Sequence, residues 1–590
     1  MQIFSPFIKT APLLALASSF ASCSRPADER GPKPNVIIIM TDDQGWGDMS
    51  IHGNTNLHTP NTDRLAEEGA QFTNFYVQPV CSPTRAELLT GRYHTRSGVS
   101  GTSEGRERMN ADETTIAEVF KEAGYATGAF GKWHNGMQFP YHPNARGFDE
   151  FYGFCSGHWG DYFSPPLEHN GKIVQGEGYV PDDITGRAMD FIENNRDKPF
   201  FVYIPQITPH SPMQVPDEWW DKFDGKEIGM LTDDRYQEDI EFTRAALAMC
   251  ENIDWNVGRV MDKLDELGLA DNTIIMFLID NGPNSFRWNG GMKGRKGSTD
   301  EGGVRSPLFV RWPAIIDRGM EINEIAAVID LLPTLAEMAG IPYNTVHPVD
   351  GVSLAPLLAG REYNETERLI FAHWAGNVSA RNRDYRLDAQ GRLFNMENDR
   401  GQHHDISEKE PDVREFLLSE VSRWKEDAIA EIPVRPFTVG HPATVRTQLP
   451  ARDGQPHGNI TRSNRWPNSS FFTNWTSTGD KITWDIEVLA SGTFKVEIYY
   501  TCPPEDTGSV FELSFGNSSL TGKIGQGHDP PLRGMENDRI PRMESYVKDF
   551  KPLNAGSIYL EKGKGQLTLQ ALEMPGSQVM DVRKIMLARE

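Results

Sequence analysis

Four short apolar runs in this sequence end in residues able to do chemistry. Asn35-Val36-Ile37-Ile38-Ile39-Met40 runs into Thr41-Asp42-Asp43-Gln44-Gly45. Tyr125–Phe130 leads into Gly131-Lys132-Trp133-His134, and Phe200–Ile204 leads into Thr208-Pro209-His210. Thr273–Ile279 leads into Asp280-Asn281-Gly282. Adjacent carboxylates such as Asp42 and Asp43 are costly unless they are solvated or bound to a cation. Each motif has an ordinary explanation by itself. Asp can cap a helix, Asp-Asn-Gly can form a tight turn, a His between prolines can be structural, and Lys132 can be a solvated charge. All four together at strand ends are much harder to explain that way.

The elements that must position them follow from pattern. The four runs are β-branched and apolar, as in strands buried on both faces of a parallel sheet. Helical patterns lie between them at Thr115–Glu122, Asp183–Asn195 and Tyr236–Leu267. Strand–helix alternation predicts an α/β fold built on a doubly wound sheet, whose sites lie beyond the carboxyl ends of the strands.

Val80-Cys81-Ser82-Pro83-Thr84-Arg85 followed by Leu88-Leu89-Thr90-Gly91-Arg92 is the most informative stretch. A lone Cys is ordinarily a small buried thiol. This C-x-P-x-R…T-G-R pattern resembles the signature of the formylglycine-dependent sulfatases, arylsulfatase-like members of the alkaline phosphatase superfamily. Their Cys is oxidised to an aldehyde during export by a maturation enzyme, here an expected partner. The Asp42-Asp43, Lys132/His134 and Asp280-Asn281 motifs resemble that family's too, as does Gly294-Arg295-Lys296-Gly297-Ser298. The resemblance covers about residues 33–435 and implies a mixed sheet of alkaline-phosphatase type.

It implies that Asp42, Asp43, Asp280, Asn281 and modified Cys81 coordinate a divalent ion, Ca²⁺ ahead of Mg²⁺. Oxygen-only ligands suit these hard cations and argue against Zn²⁺. It gives Arg85 the role of holding the hydrated aldehyde, and Lys132 and Lys296 that of binding sulfate oxygens. His134 would take the proton when the aldehyde re-forms, and His210 would protonate the leaving oxygen, with Lys296 as a possible helper. Lys293 is read as a rim or surface charge, and His403-His404 as surface. His158 and Trp159, and Arg287 with Trp288, are candidates to line a sugar pocket; loop packing is the competing reading. The expected substrate is a sulfated oligo- or polysaccharide.

The chain has 590 residues, with 59 Lys+Arg against 83 Asp+Glu, a net charge of −24. That balance makes nucleic acid a poor partner. An anionic substrate then needs a locally cationic pocket. Five cysteines do not form a disulfide scaffold. Residues 1–22 carry one charge, Lys9, around an apolar stretch too short to span a bilayer. Phe20-Ala21-Ser22-Cys23 resembles a bacterial lipoprotein signal, with Cys23 as the lipidated first residue. The alternative is an ordinary secretory signal. Export is expected, to the periplasm or outer membrane as a lipoprotein or otherwise as a secreted protein, with membrane contact only through that anchor. Residues 23–34 read as a tether.

Residues 35–361 are expected to form the catalytic domain and 362–435 a small antiparallel sheet with a helix over Asp412–Trp424. The proline-bearing stretch 436–469 reads as a linker. From residue 470 the apolar period becomes two, as in Ile482, Trp484, Ile486 and Val488, which predicts a β-sandwich over 470–590. A structural role for it is as well supported as sugar binding. Two other functions stay open. One is a formylglycine-dependent phosphonate or phosphate ester hydrolase, since tetrahedral sulfate and phosphate look alike. The other is a non-catalytic glycan-binding lipoprotein.

Overall fold

The computed structural model describes residue 2 and residues 32–363, 367–429, 432–433 and 435–590. The signal-peptide and lipidation readings, Cys23 included, fall outside the described residues, as does most of the tether.

The central strands are β1 (Asn35–Thr41), β2 (Ala70–Tyr76), β3 (Ala126–Lys132), β4 (Glu150–Phe154), β5 (Pro166–His169) and β6 (Lys172–Gln175). They continue with β7 (Phe200–Pro205), β8 (Thr273–Ile279), β9 (Arg305–Arg311), β10 (Met320–Ile322) and β11 (Ala326–Ala327). The order is β10-β2-β9-β8-β1-β7-β3-β4-β5-β6, with β11 beside β2. β1 runs parallel to β7 and β8, and β7 parallel to β3, so four strands deliver their carboxyl ends to one edge. Thr41 lies opposite Ile279, and Met40 opposite Pro205. β9 is antiparallel to β2 and β8, and β5 to β4 and β6, so the sheet is mixed.

All seven residues of β1 are buried because both faces are covered. Val36, Ile38 and Met40 join one apolar cluster with the helices Cys81–Thr90, Ile116–Glu122 and Leu331–Met338. Ile37 and Ile39 join the other, with the helices Val180–Asn194 and Ile240–Glu266. Burying each such side chain is worth about 1.5–3 kcal/mol. Thr115 and Glu118 close a capping box at the start of Ile116–Glu122. The expected elements appear with ends shifted by a few residues.

A four-stranded antiparallel sheet follows: Ile370–Trp374, Asn377–Arg381, Tyr385–Leu387 and Leu393–Asn395. Leu417, Val421 and Trp424 of the helix Pro411–Ala428 share a core with Ile370, Phe371, Val378 and Ala380. Two six-stranded sheets complete the chain. Ile482, Trp484 and Ile486 from one, and Phe494, Val496, Ile498 and Leu587 from the other, belong to a single apolar cluster.

The stretch 436–469 is not a linker. Phe437–Val439 and Gln455–His457 pair with Lys481–Val488, and Arg446–Pro450 pairs with Asp581–Arg589. Val439, Leu449 and Ala451 enter the core of the two sheets. Strand pairing satisfies the backbone that a free tether would leave to water. Among the described residues no helix is long and apolar enough to cross a membrane, and Cys81, Cys155, Cys250 and Cys502 are free and buried.

Candidate active site

Cys81 is the first residue of a helix whose ten residues are all buried. The helix stops at Gly91, whose left-handed φ of 67° lets its N–H return to the Glu87 carbonyl at 2.8 Å. One turn into that helix, the fully buried Arg85 donates to Asp280 Oδ2 at 2.8 Å and to the Lys132 carbonyl at 2.9 Å. Thr84 Oγ1 donates to the Asp280 carbonyl at 2.6 Å. The helix is therefore pinned to the ends of β3 and β8.

Asp42 and Asp43 leave the end of β1 and are buried with Asp280 and Asn281. Lys132 Nζ lies 2.6 Å from Asp42 Oδ2, and Lys296 Nζ lies 2.7 Å from Asp43 Oδ2. Asn281 donates to Asp43 Oδ1 at 2.9 Å. Asp43 and His134 both hold positive φ, 67° and 62°, a strained backbone for non-glycine residues that clusters at functional sites. Burial pushes the Asp42 carboxyl well above its ordinary range; Lys132 and Arg85 oppose this, while Asp280 and Asp43 add to it. Burial acts the same way on Asp43, but Lys296, His210 and Lys132 outweigh it and hold that carboxyl low. Burial also raises the Cys81 thiol, so an unmodified Cys81 would be a poor nucleophile.

The donor atoms of Asp42, Cys81 and Asp280 all lie within 4.8 Å of one another. Asp42 Oδ1 and Asn281 Oδ1 are buried without a hydrogen bond. Buried polar atoms are rarely left so. Orphaned oxygens beside three carboxylates fit a hard divalent cation.

His134 Nε2 lies 2.8 Å from the Thr102 carbonyl, so Nε2 carries the proton; Nδ1 is buried and unpartnered. Burial, then Lys132, lowers its pKa well below the ordinary value. Its bare Nδ1 is a proton acceptor. His210 Nδ1 lies 2.7 Å from the Ser211 carbonyl and its Nε2 lies 3.6 Å from Asp43 Oδ2. Burial, then Lys296, pushes His210 down to about 3. His158 stacks on His210 with ring centroids 5.6 Å apart.

A cavity of about 570 Å³ opens over Cys81, with Asp43, His134, His158, His210 and Lys296 in its wall. The other substrate candidates lie elsewhere. The Arg287 guanidinium is buried, donating to Asp48 Oδ2 at 2.6 Å and to the Asp43 carbonyl at 3.1 Å; it holds the Asp42-Asp43 turn rather than a sugar. Trp288 packs its backbone against Gly47. Trp159 stacks on Phe154 and lines a separate cavity. Lys293 is tied to Asp300 at 3.0 Å, and His403 and His404 are exposed. Sequence reasoning missed Asn284, Arg295, Trp374, Arg465 and Trp466 in the wall. Arg295 precedes Lys296, and Asn284 lies two residues beyond Gly282 of Asp280-Asn281-Gly282, so their motifs already pointed at them. Arg465-Trp466, a basic–aromatic pair, sat in the supposed linker.

Comparison with known proteins gives the family. The sulfatase family profile matches residues 34–341, and the profile for the C-terminal part of N-sulphoglucosamine sulphohydrolase matches residues 296–390. The chain is 31% identical over 385 residues to the N-acetylgalactosamine-6-sulfatase of Canis lupus familiaris, spanning 59% of this chain and 70% of that protein. It is 31% identical over 470 residues to the steryl-sulfatase of Rattus norvegicus, spanning 62% and 77%. The crystal structure of Ps i-CgsB in complex with k-i-k-neocarrahexaose superposes with a TM-score of 0.63 at 31% identity, covering 68% of this chain and 94% of that one. The chain belongs to the sulfatase family and is a sulfatase, a hydrolase of sulfate esters.

Proposed function

We propose that this sulfatase removes sulfate from a sulfated carbohydrate, using formylglycine formed at Cys81 and a divalent cation, Ca²⁺ ahead of Mg²⁺. The observation that carries the reading is the set of buried, orphaned oxygens of Asp42 and Asn281 beside Cys81. A thiol is a soft ligand out of place among such donors; a hydrated aldehyde offers two hydroxyl oxygens, one of them the nucleophile for sulfur. The cation, when bound, neutralises sulfate charge and lowers the pKa of a coordinated hydroxyl.

The chain's own residues do the rest. Asp42, Asp43, Asp280 and Asn281 would hold the cation. Arg85 orients residue 81. The ammonium groups of Lys132 and Lys296, which rest on Asp42 and Asp43, take sulfate oxygens when substrate enters. His134 Nδ1 receives the proton released when the aldehyde re-forms. His210 is neutral when the site is empty; the sulfate charge counters Lys296 and favours its protonation, so Nε2 delivers a proton to the leaving oxygen. The carbohydrate assignment draws on the relative named N-acetylgalactosamine-6-sulfatase and on the neighbour solved in complex with k-i-k-neocarrahexaose.

Mass spectrometry of the peptide holding Cys81, from a host with the maturation enzyme, tests the mechanism. The expected mass is that of the aldehyde, and an unmodified thiol throughout overturns it. Sulfate release from a panel of sulfated saccharides tests the substrate class, and turnover of aryl and steryl sulfates alone overturns it.

A further inference from the structure

The cavity over Cys81 is not built by the catalytic sheet alone. Its lining includes Arg462, Arg465, Trp466, Pro467, Asn468, Met543 and Glu544, which lie beyond the reach of both family profiles, the later of which ends at residue 390.

These residues are held in place. Asn468 Oδ1 accepts from Gly157 N at 3.2 Å and from Arg452 Nη1 at 3.0 Å, and Asn468 Nδ2 lies 3.4 Å from the Thr102 carbonyl, the same carbonyl that fixes His134. Asn464 donates to the Met543 carbonyl at 2.7 Å, and the Ser463 and Ser545 hydroxyls meet at 2.7 Å. Ser211, next to His210, donates to Glu544 Oε1, while Glu544 Oε2 is buried without a partner. The loop is therefore fixed both to the catalytic loops and to the 543–545 segment.

On this fixed loop two side chains are left over. Trp466 is 45% exposed, on a backbone pinned by Asn464. Arg465 lies over its ring at 4.8 Å and forms no ion pair among the described residues. Arg462 differs: it donates to the Gly454 carbonyl and pairs with Glu104, so it serves the loop. Trp374 and Arg295 line the same cavity, the latter with its guanidinium over Phe286. An exposed Trp466 and a half-buried Trp374, with cations beside hydroxyl, amide and imidazole groups and the apolar Val80, Phe242 and Met543, suit the apolar face, hydroxyls and negative charge of a sugar ring.

We propose that Arg465 and Trp466 form a saccharide subsite that binds the ring adjoining the one whose sulfate is cleaved. Trp466 stacks on that ring, and Arg465 pairs with an anionic group on it, a sulfate or a carboxylate. The C-terminal sheets are thus part of the substrate pocket and set a preference for oligosaccharides over single sugars. This rests on the carbohydrate reading of the site.

The test compares kcat/KM on sulfated tetrasaccharides, sulfated monosaccharides and 4-nitrophenyl sulfate, for the mature full-length protein and for Trp466→Ala, Trp466→Phe and Arg465→Ala. The ratio of tetrasaccharide to monosaccharide kcat/KM is expected to fall about tenfold in Trp466→Ala and Arg465→Ala, mostly through KM, a loss typical of an exposed aromatic or Arg contact. Trp466→Phe should recover much of it. Desulfating or reducing the adjoining ring should erase the effect of Arg465→Ala, and which change does so tells sulfate from carboxylate. An unchanged ratio in both Ala variants overturns the subsite, and so does an equal fall on all three substrates. An unmutated protein that cleaves 4-nitrophenyl sulfate but none of the saccharides instead overturns the carbohydrate reading, and the subsite with it.

Discussion

Arg452 and Glu107 meet at 2.8 Å with both side chains out of water. The pair joins the C-terminal sheets to the segment between helix Cys81–Thr90 and the β3 strand. Arg452 also lies 3.2 Å from Asp453 and holds Asn468. Breaking a buried pair leaves an uncompensated charge, at a cost of about 3–5 kcal/mol. Arg452→Met strands two carboxylates and Glu107→Gln strands none, because Asp453 still faces Arg452. Arg452→Met is therefore expected to lose more stability in urea unfolding, and to lower kcat through Asn468. Equal losses in the two variants would mean that the pair does not hold the two regions together.

A second buried cluster fixes the small sheet to the catalytic core. Glu301 lies 2.8 Å from both Arg305 and Arg386 and accepts from Tyr76 at 2.9 Å. Burial would raise its carboxyl, but Arg386, Arg381 and Arg305 outweigh it and hold the pKa down to about 2. The unfolded chain binds the proton more readily than the folded one between about 4.5 and 2. The stabilisation is thus fully present above pH 4.5 and is lost as pH falls through 2. Its size at pH 7 is about 3 kcal/mol, roughly halved by pH 3. Denaturant unfolding of Glu301→Gln beside the unmutated protein should show a stability gap that narrows from pH 7 to pH 3. A gap constant with pH would mean the carboxylate charge contributes nothing.

The parts of this molecule legible in sequence are those written locally. β1, β3, β7 and β8 are apolar runs whose polar ends announce one edge, and Cys81 and Arg85 sit in a compact motif. Pairing between distant segments is not written locally. Arg446–Pro450 finds its partner at Asp581–Arg589, and nothing in five residues ending in proline predicts that. The same blindness misplaced Arg287: beside Trp288 it reads as a sugar contact, but its carboxylate partner, Asp48, is 239 positions away.

Cation removal should be felt as stability as well as activity. Chelation is expected to lower the melting temperature of the mature protein measured without substrate, where no turnover complicates the reading. Ca²⁺ should restore it more fully than Mg²⁺. At a free concentration a hundred times Kd the gain is about 2.7 kcal/mol. Asp42→Asn should bind less metal by elemental analysis and lose most of the restoration. Melting curves indifferent to chelator, with no metal found, would remove the cation from the site.

Gly157 tests whether the C-terminal sheets position His134, the proposed proton acceptor. A Cβ there would lie 2.4 Å from Asn468 Nδ2 and 2.6 Å from His134 Nε2. Neither can yield freely, because Arg452 holds Asn468 and the Thr102 carbonyl holds His134. Gly157→Ala must therefore displace His134 or the loop bearing Trp466. A shift of about 1 Å at a catalytic group costs on the order of a hundredfold in rate. Gly160→Ala is the matched control, since its Cβ would meet Val547 Cγ1 at 2.4 Å without touching His134. Both variants should melt earlier, but only Gly157→Ala should lose kcat on 4-nitrophenyl sulfate by a large factor. Equal kcat losses would assign the effect to general loosening of the C-terminal sheets rather than to His134.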